Sequence, residues 1–329
     1  MKNKQIKLVM LLLILCLLPN GCSKKEKVHR VGILCALDYI SEIPDSFKKE
    51  MHKLGYIEGT NIIYDVKNTN YEPEKEKQIL NKFVKEKVDL IFTFPTEVSM
   101  DAKNIAEGTG VPVLFTFANI EGTHLVENIR CPGGNITGCR YPGPDLAAKR
   151  FEILRELVPT AKRIWIPYQK GYPIVTSQLE VLYPLAEAAG ITLIECPAAN
   201  AEEIEADLQA RETSGDPGID SMLIIAEPLG VTAEAFAVFG KFAFEHKIPV
   251  GGALISAGGY DSIFGVNVNL QSAAKESALL ADKILRGRPA GTLPVVSAES
   301  FFQLNYKAAQ KIGIHPPEGL LSTADELIH

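Results

Sequence analysis

Acidic, hydroxyl and amide side chains follow several predicted strands of this sequence. Asp38 comes soon after the first strand, while Thr96 and Asn119 follow the third and fourth strands, with Pro95 beside Thr96. In an open α/β sheet, ligands bind at the edge where the carboxyl ends of the strands meet. A hydroxyl and an amide near helix N-terminal N–H groups suit a carboxylate or carbonyl oxygen. We therefore predict that these residues recognise a solute, with a helix cap or a solvated loop acid as the alternative for Asp38.

Aromatic and polar residues elsewhere in the chain could complete such a site. Tyr39, Tyr168 and Tyr172 offer flat rings for stacking and hydroxyl groups for hydrogen bonds, although all three, and Tyr172 above all, could simply pack at an edge. Glu227 follows a predicted strand in the second half of the chain. We expect it either to recognise a cation or to contact the first half. Ser256 belongs to a later link of the same kind. Together these residues predict non-covalent binding rather than a reaction centre.

The scaffold that must position these residues is an alternation of strands and helices. Short apolar runs, typical of strands buried on both faces, lie at 31–35, 61–66, 88–93, 112–116, 135–138, 163–167, 191–195, 221–225 and 249–252. Amphipathic helices are predicted at 47–54, 72–87, 99–108, 146–157, 176–189, 201–212 and 232–246. The alternation restarts after residue 138. This pattern predicts the α/β class with two doubly wound, Rossmann-like lobes.

The beginning of the chain has the features of an export signal. Lysines precede the apolar run Leu8–Leu18, which is too short to span roughly 30 Å of hydrocarbon as a helix. A turn-like segment then leads to Cys22, and a small residue followed by cysteine resembles a bacterial lipoprotein signal. We predict a signal peptide at 1–21, lipid on Cys22 and a tether at 22–29. The alternative is a plain secretory signal cleaved near Gly21.

Several other kinds of site have no signal in this sequence. It contains no G-x-G-x-x-G after the first strand, no G-x-x-x-x-G-K-[ST] and no G-x-S-x-G. The six histidines lack metal-ligand spacing, so we predict no metal and no cofactor. The net charge of −6 and the dispersed basic residues argue against nucleic-acid binding. We predict that the chain is not an enzyme, with an extracytoplasmic enzyme on the same scaffold as an alternative.

The cysteines of the chain body also lack the spacing of a zinc site. Cys35, Cys131, Cys139 and Cys196 form no C-x-x-C pair. Cys131 and Cys139 flank a Pro-Gly-Gly turn and could pair outside the cytoplasm, where disulfides persist. Buried free thiols are the alternative, and the sequence leaves both open.

Six strings of this sequence resemble one known family. They are Gly55–Asn61, Val88–Ile91, Pro132–Gly138, Lys247–Val250, Lys283–Gly287 and Leu304–Ala309. In this order and at these distances they resemble the ABC transporter substrate-binding family that includes tryptophan- and tyrosine-binding receptor lipoproteins. The resemblance extends from about Arg30 to the C-terminus.

The resemblance implies the type I periplasmic-binding-protein clamshell, whose lobes exchange chain through hinge strands. The implied N-terminal lobe is 30–138 plus 267–292, and the implied C-terminal lobe is 139–266 plus 293–329. It further implies an extracytoplasmic, lipid-anchored and monomeric receptor of an ABC importer. Such a receptor would deliver a small organic solute, amino-acid-like and possibly aromatic, to a membrane permease. A clamshell that reports its ligand to a membrane signalling partner is the alternative.

The sequence departs from the family where the solute would bind. Asn119-Ile120 stands where members often have Asp-Pro, and Pro95-Thr96 reverses a Thr-Pro pair. In the second half, Ala226–Pro228 replaces a Thr-Asp-Asn stretch and Ala253-Leu254 replaces a Ser-Asp pair. Acidic groups suited to an ammonium are therefore partly lost, which leaves Asp38 and Glu227 as candidates. The resemblance predicts the fold and leaves the solute open.

Overall fold

The computed structural model describes residues 27–36, 42–213 and 215–329. The predicted signal peptide, the lipidated Cys22, and the site candidates Asp38 and Tyr39 lie outside the described residues. Within the described ranges, no helix has the length and apolar character needed to cross a membrane.

Strands and helices alternate along the chain, as the apolar runs predict. The strands are β1 (His29–Cys35), β2 (Ile62–Asn68), β3 (Leu90–Phe94), β4 (Val113–Ala118), β5 (Ile136–Arg140), β6 (Arg163–Gln169), β7 (Thr192–Ala198), β8 (Ser221–Ile224), β9 (Val250–Gly252), β10 (Ser256–Ala257), β11 (Tyr260–Asp261), β12 (Phe264–Val268), β13 (Val296–Ser297), β14 (Ser300–Asn305) and β15 (Glu326–Ile328). The helices are α1 (Ile43–Lys53), α2 (Pro73–Lys85), α3 (Thr96–Ala106), α4 (Gly143–Leu157), α5 (Pro173–Ala189), α6 (Ala201–Glu212), α7 (Ala233–His246), α8 (Leu270–Leu285), α9 (Tyr306–Lys311) and α10 (Glu318–Thr323). A short 3₁₀ turn, Ala290–Thr292, precedes β13.

The first lobe is built on a parallel sheet. In the described part of the chain its strands lie in the order β13-β5-β4-β3-β1-β2. All residues of β3 and β4 are buried, because α2 and α3 cover one face of the sheet and α1 and α8 cover the other. Central parallel strands covered on both faces need continuous apolar runs, which explains the pattern of the sequence.

The second lobe is built on a mixed sheet. Its described strands lie in the order β15-β14-β12-β9-β8-β6-β7, with only β12 and β14 antiparallel among the pairs in this sheet. Helices α4 and α5 pack together, as do α6 and α7. Trp165 lies in the core between the sheet and α7, and its Nε1 donates to Asp207 Oδ2 at 3.0 Å. The predicted class, two doubly wound α/β lobes joined by hinge strands, is confirmed.

The chain crosses between the lobes after β5, after β12 and after β13. The third crossing corrects our domain boundary, since we expected residues from 293 onward in the second lobe. Val296 and Ser297 instead pair in parallel with β5 of the first sheet. The predicted boundaries at 138 and 266 also fall inside strands, because β5 continues to Arg140 and β12 to Val268. A two-residue strand carries no apolar pattern, so the sequence did not indicate β13.

Helix α4 fastens the crossings to one another. Arg150 is fully buried, and its Nε and Nη2 donate to Val266 O at 2.9 Å and 2.7 Å. Arg150 Nη2 also donates to the Tyr141 hydroxyl at 2.7 Å, and Lys149 Nζ donates to Ser300 Oγ at 2.8 Å. The middle of α4 therefore contacts residues beside all three crossings and gives the hinge a common support.

The four cysteines of the described body are free thiols. Cys35, Cys139 and Cys196 are buried, while Cys131 is exposed. The possible pair Cys131–Cys139 is therefore not formed in this structure. Burial raises the pKa of the Cys139 thiol to about 12, which keeps the thiol protonated at neutral pH.

Candidate ligand-binding cavity

A cavity of about 890 Å³ lies between the two lobes. The first lobe contributes the link after β3, the link after β4 and the residues that follow β2. The second lobe contributes the start of α5, the link from β8 to α7, and residues near β10 and β12. Both sheets thus present the carboxyl ends of their strands to the cavity, where open α/β sheets bind ligands.

The first-lobe wall is held by a hydrogen bond between two links. The Asn119 backbone N–H donates to Thr96 Oγ1 at 3.0 Å, and both residues are nearly buried at 7% exposure. Ser99 Oγ donates to Pro95 O at 2.6 Å and secures the first turn of α3. Gly143 of α4 approaches this wall from the second lobe. A Cβ at Gly143 would lie 2.6 Å from Asn119 Oδ1, so a larger residue there would displace the Asn119 side chain.

Glu227 organises the second-lobe wall. Its carboxylate accepts backbone hydrogen bonds from Gln169 and Leu229, each at 3.0 Å, and another from Gly230. Burial raises the pKa of the Glu227 carboxyl, and the three N–H donors oppose that rise. These bonds fasten the β8–α7 link to the end of β6. Glu227 therefore supports the wall of its own lobe, and none of its hydrogen bonds in the described structure reaches the first lobe. Its predicted contact with a cation stays a prediction.

One hydrogen bond crosses the cavity directly. The Tyr172 hydroxyl, at the start of α5, donates to Glu97 Oε1 at the start of α3. The pKa of Tyr172 is raised mainly by burial and secondly by the negative charge of Glu97. The hydroxyl therefore stays protonated and can donate. Glu97 Oε2 is buried and has no hydrogen-bond partner among the described residues. The two lobes are thus linked by a carboxylate that keeps one oxygen unpaired.

Most of the predicted site residues that the structure describes meet at this cavity. They are Pro95, Thr96, Asn119, Tyr172, Glu227 and Ser256. Tyr168 does not line it. We expected its strand to end at Pro167, but β6 continues to Gln169, so Tyr168 remains in the sheet beside β7. Its hydroxyl donates to Glu195 Oε2 at 2.6 Å, away from the cavity.

Several lining residues were missed from the sequence. They are Asn70, Tyr71, Glu97, Phe117, Tyr141, Glu234 and Asn267. Glu97 was within reach, because it directly follows Thr96 in the same link. Phe117 directly follows the predicted strand end, but it sits at a β-bulge with a φ of 51°, where the pairing of β4 with β5 shifts register. Bulges redirect side chains, and nothing in the local apolar pattern marks this one.

Two lobes that close on a lined cavity define a solute-binding protein of the clamshell type. The chain belongs to the family of ABC transporter substrate-binding proteins, whose model matches residues 31–328. This confirms the family predicted from the sequence strings. Membership implies a small-molecule ligand, a permease partner and a place outside the cytoplasm.

Individual proteins also resemble this chain over most of its length. A tyrosine-binding protein of Clostridioides difficile (strain R20291) is 24% identical over 280 residues, covering 84% of this chain and 78% of that protein. A crystal structure of a conserved domain protein from Vibrio cholerae is 25% identical with a TM-score of 0.77, covering 92% of this chain and 100% of that one. An ABC domain in complex with L-Trp from Streptococcus pneumonia is 20% identical with a TM-score of 0.75, covering 91% and 100%. That last likeness establishes the shared fold.

Proposed function

We propose that this chain is the lipid-anchored, monomeric receptor of an ABC importer, and that it captures an amino-acid-like solute with a flat or aromatic body. The observation that carries this proposal is the inter-lobe cavity with Glu97 and Tyr172 on its opposite walls. Tyr71, Phe117 and Tyr141 add aromatic surface to it. The ligands of the similar proteins, tyrosine and L-Trp, support a solute of this class.

Capture follows from the contacts that each lobe contributes. A solute that touches both walls binds the closed form more tightly than the open form, so it shifts the population toward closure. The three crossings supported by α4 act as the hinge, which is a common route of domain closure around ligands. The closed lobes then present one surface to the permease. No bond in the solute needs to break.

Calorimetry tests the capture step. Purified protein, unfolded and refolded to remove carried-over ligand, is titrated with a panel of amino acids and related aromatic solutes. We expect saturable one-to-one binding of at least one aromatic solute. Mass spectrometry of the recovered solute should show no change in mass. A panel without any binder would remove the proposal, and a changed mass would favour an enzyme. Loss of labelled-solute uptake in cells lacking the chain separates import from sensing.

The lipid anchor is proposed from the sequence around Cys22. Several buried acyl chains, at about 0.8 kcal/mol per CH₂, hold a protein at a membrane without a spanning helix. Cell fractionation should place the wild-type protein with membranes and the Cys22→Ala variant elsewhere or unprocessed. Cys16→Ala, in the same predicted signal, is the matched control and should fractionate like wild type. A Cys22→Ala variant that is processed and stays with membranes would contradict the anchor.

A further inference from the structure

The described wall of the cavity carries negative charge and no basic side chain. Glu97, Glu227 and Glu234 line it, and none of the described lining residues is lysine, arginine or histidine. A solute carboxylate therefore finds no cationic partner in this set of residues.

The helix N-termini at the cavity attract an anion only weakly. A helix N-terminus has a partial positive charge and free N–H groups that favour an anion. However, Glu97 occupies the first turn of α3 and Glu234 the first turn of α7, where their charges offset the helix dipoles. At α5, Pro173 has no N–H and the Val175 N–H donates to Tyr172 O at 3.2 Å, which leaves the Ile174 N–H as the one donor of the first three residues. The cavity edge consequently favours a cation over a carboxylate.

Glu97 is the group best placed to bind such a cation. Its Oε1 accepts the Tyr172 hydroxyl, while its Oε2 is buried and unpaired in the described structure. A buried carboxylate oxygen without a donor is unfavourable, and a solute N–H⁺ would supply the missing bond. Glu227 is different, because three backbone N–H groups already occupy its carboxylate. Of the two acids, Glu227 is thus engaged by backbone donors, while Glu97 has an oxygen available for a solute.

Aromatic rings complete the surroundings of a cation. Tyr71, Phe117, Tyr141 and Tyr172 all line the cavity, and the rings of Phe117 and Tyr141 meet edge to face with centroids 5.0 Å apart. Aromatic faces attract ammonium groups through their quadrupoles, and they also stack on flat solutes. An aromatic body bearing an amine fits both properties.

We propose that the cavity selects organic amines over the corresponding amino acids, with Glu97 as the cation-binding residue. The solute class is an aromatic or flat monoamine, and its carboxylate is dispensable and unfavourable. This inference rests on the proposed solute-receptor function and narrows the solute within it. It assigns to Glu97 a binding role that the sequence comparison gave to Asp38 and Glu227.

The test is a matched series of solutes on the purified wild-type protein. Tyramine and tryptamine carry the cation alone, tyrosine and tryptophan add the carboxylate, and 4-hydroxyphenylacetate carries the carboxylate alone. We expect each amine to bind roughly tenfold or more tightly than its amino acid, and the acid not to bind. The Glu97→Gln variant should lose roughly tenfold in amine affinity, while Glu234→Gln, in a first turn at the same cavity, should lose far less.

The outcomes separate the two proposals. Tighter binding of tyrosine or tryptophan than of the amines would overturn the amine inference while supporting the receptor function. Binding of none of these solutes, nor of any other in the wider panel, would remove both. Because the solute series needs no variant, a poorly folded Glu97→Gln protein leaves the test intact. A well-folded Glu97→Gln protein with unchanged amine affinity would overturn the role of Glu97.

Discussion

Glu97 and Glu227 lie in the same cavity, one on each lobe, and differ in what their oxygens touch. Glu227 is nearly buried and accepts three backbone hydrogen bonds from its own lobe. Glu97 accepts one hydrogen bond across the cavity and keeps a buried oxygen unpaired in the described structure. The comparison teaches that an acid after a strand can support a wall or bind a solute, and that its hydrogen-bond partners decide which.

The largest expected effect is on stability, from Glu227. Replacing it with alanine leaves the backbone N–H groups of Gln169, Leu229 and Gly230 without their acceptor. We expect Glu227→Ala to lose about 2–4 kcal/mol of unfolding free energy, measured by urea denaturation without solute. Glu234→Ala, exposed on the same lobe, is the control and should change stability by less than about 0.5 kcal/mol. If Glu227→Ala and Glu234→Ala were equally stable, Glu227 would not support the wall, and its contrast with Glu97 would fail.

The next effect is on binding, from the hydrogen bond between the lobes. Tyr172→Phe removes the donor to Glu97 Oε1, and the closed form loses about 1 kcal/mol. We expect roughly fivefold weaker solute binding, measured by calorimetry, with little change in the stability of the solute-free protein. Tyr168→Phe is the matched control, because its hydroxyl bonds Glu195 in the second lobe. A larger loss of solute affinity in Tyr168→Phe than in Tyr172→Phe would show that Tyr168 contributes to the binding site.

A third effect is on the pH dependence of stability, and it comes from Asp220, a hydrogen-bonded carboxylate outside the cavity. Burial tends to raise the pKa of Asp220, but hydrogen bonds from the Arg163 guanidinium and the Lys162 and Arg163 N–H groups lower it below the usual value. An acid with a depressed folded-state pKa stabilises the protein above its unfolded pKa of about 3.8, and this contribution is lost as the pH falls through the folded value.

Asp220→Asn should therefore lower stability by about 1 kcal/mol or less at pH 7, after allowance for solvent screening. The difference from wild type should shrink below pH 4, which thermal unfolding between pH 3 and pH 7 would follow. Solute affinity at pH 7 should stay at the wild-type value. A stability difference that grows toward low pH would contradict the assigned sign.

The smallest effect is expected from Glu234. Its charge at the start of α7 acts on the solute through the field rather than through a hydrogen bond. We expect Glu234→Gln to weaken amine binding about twofold and to leave uncharged aromatic solutes unaffected. In titrations at low and high salt, the amine affinities of the variant and the wild type should converge as the salt concentration rises. A salt-independent loss would indicate direct contact with the solute.

Much of the fold could be predicted because strands buried on both faces of a parallel sheet need continuous apolar runs, which are visible in the sequence. Strands such as Leu90–Phe94 and Val113–Ala118 lie within about two residues of their predicted positions. The shortest strands, among them β10, β11, β13 and β15, were not predicted. The two residues of β13 are held by pairing with β5 rather than by any pattern of their own. Domain boundaries depend on such pairings, and those placed from the family resemblance missed the crossings by a few residues.

The site was predictable only to the level of its loops. Thr96 and Asn119 were found because they directly follow strands. Tyr168 was misplaced because β6 runs two residues further than expected. Glu97 was not selected although it directly follows Thr96, and α3 begins at Thr96 rather than at the expected Ser99, so that Glu97 lies in its first turn. Which carboxylate is occupied depends on contacts between distant segments, and these have no local signal.

The central claim is that Glu97 is the available acid and binds the amine of a solute held between the lobes. Native mass spectrometry of the refolded wild-type protein, incubated with equal concentrations of tyramine and tyrosine, tests this claim most directly. We predict one bound molecule per chain, with the mass of tyramine. A bound mass of tyrosine, or bound tyramine retained equally by a folded Glu97→Gln variant, would contradict the claim.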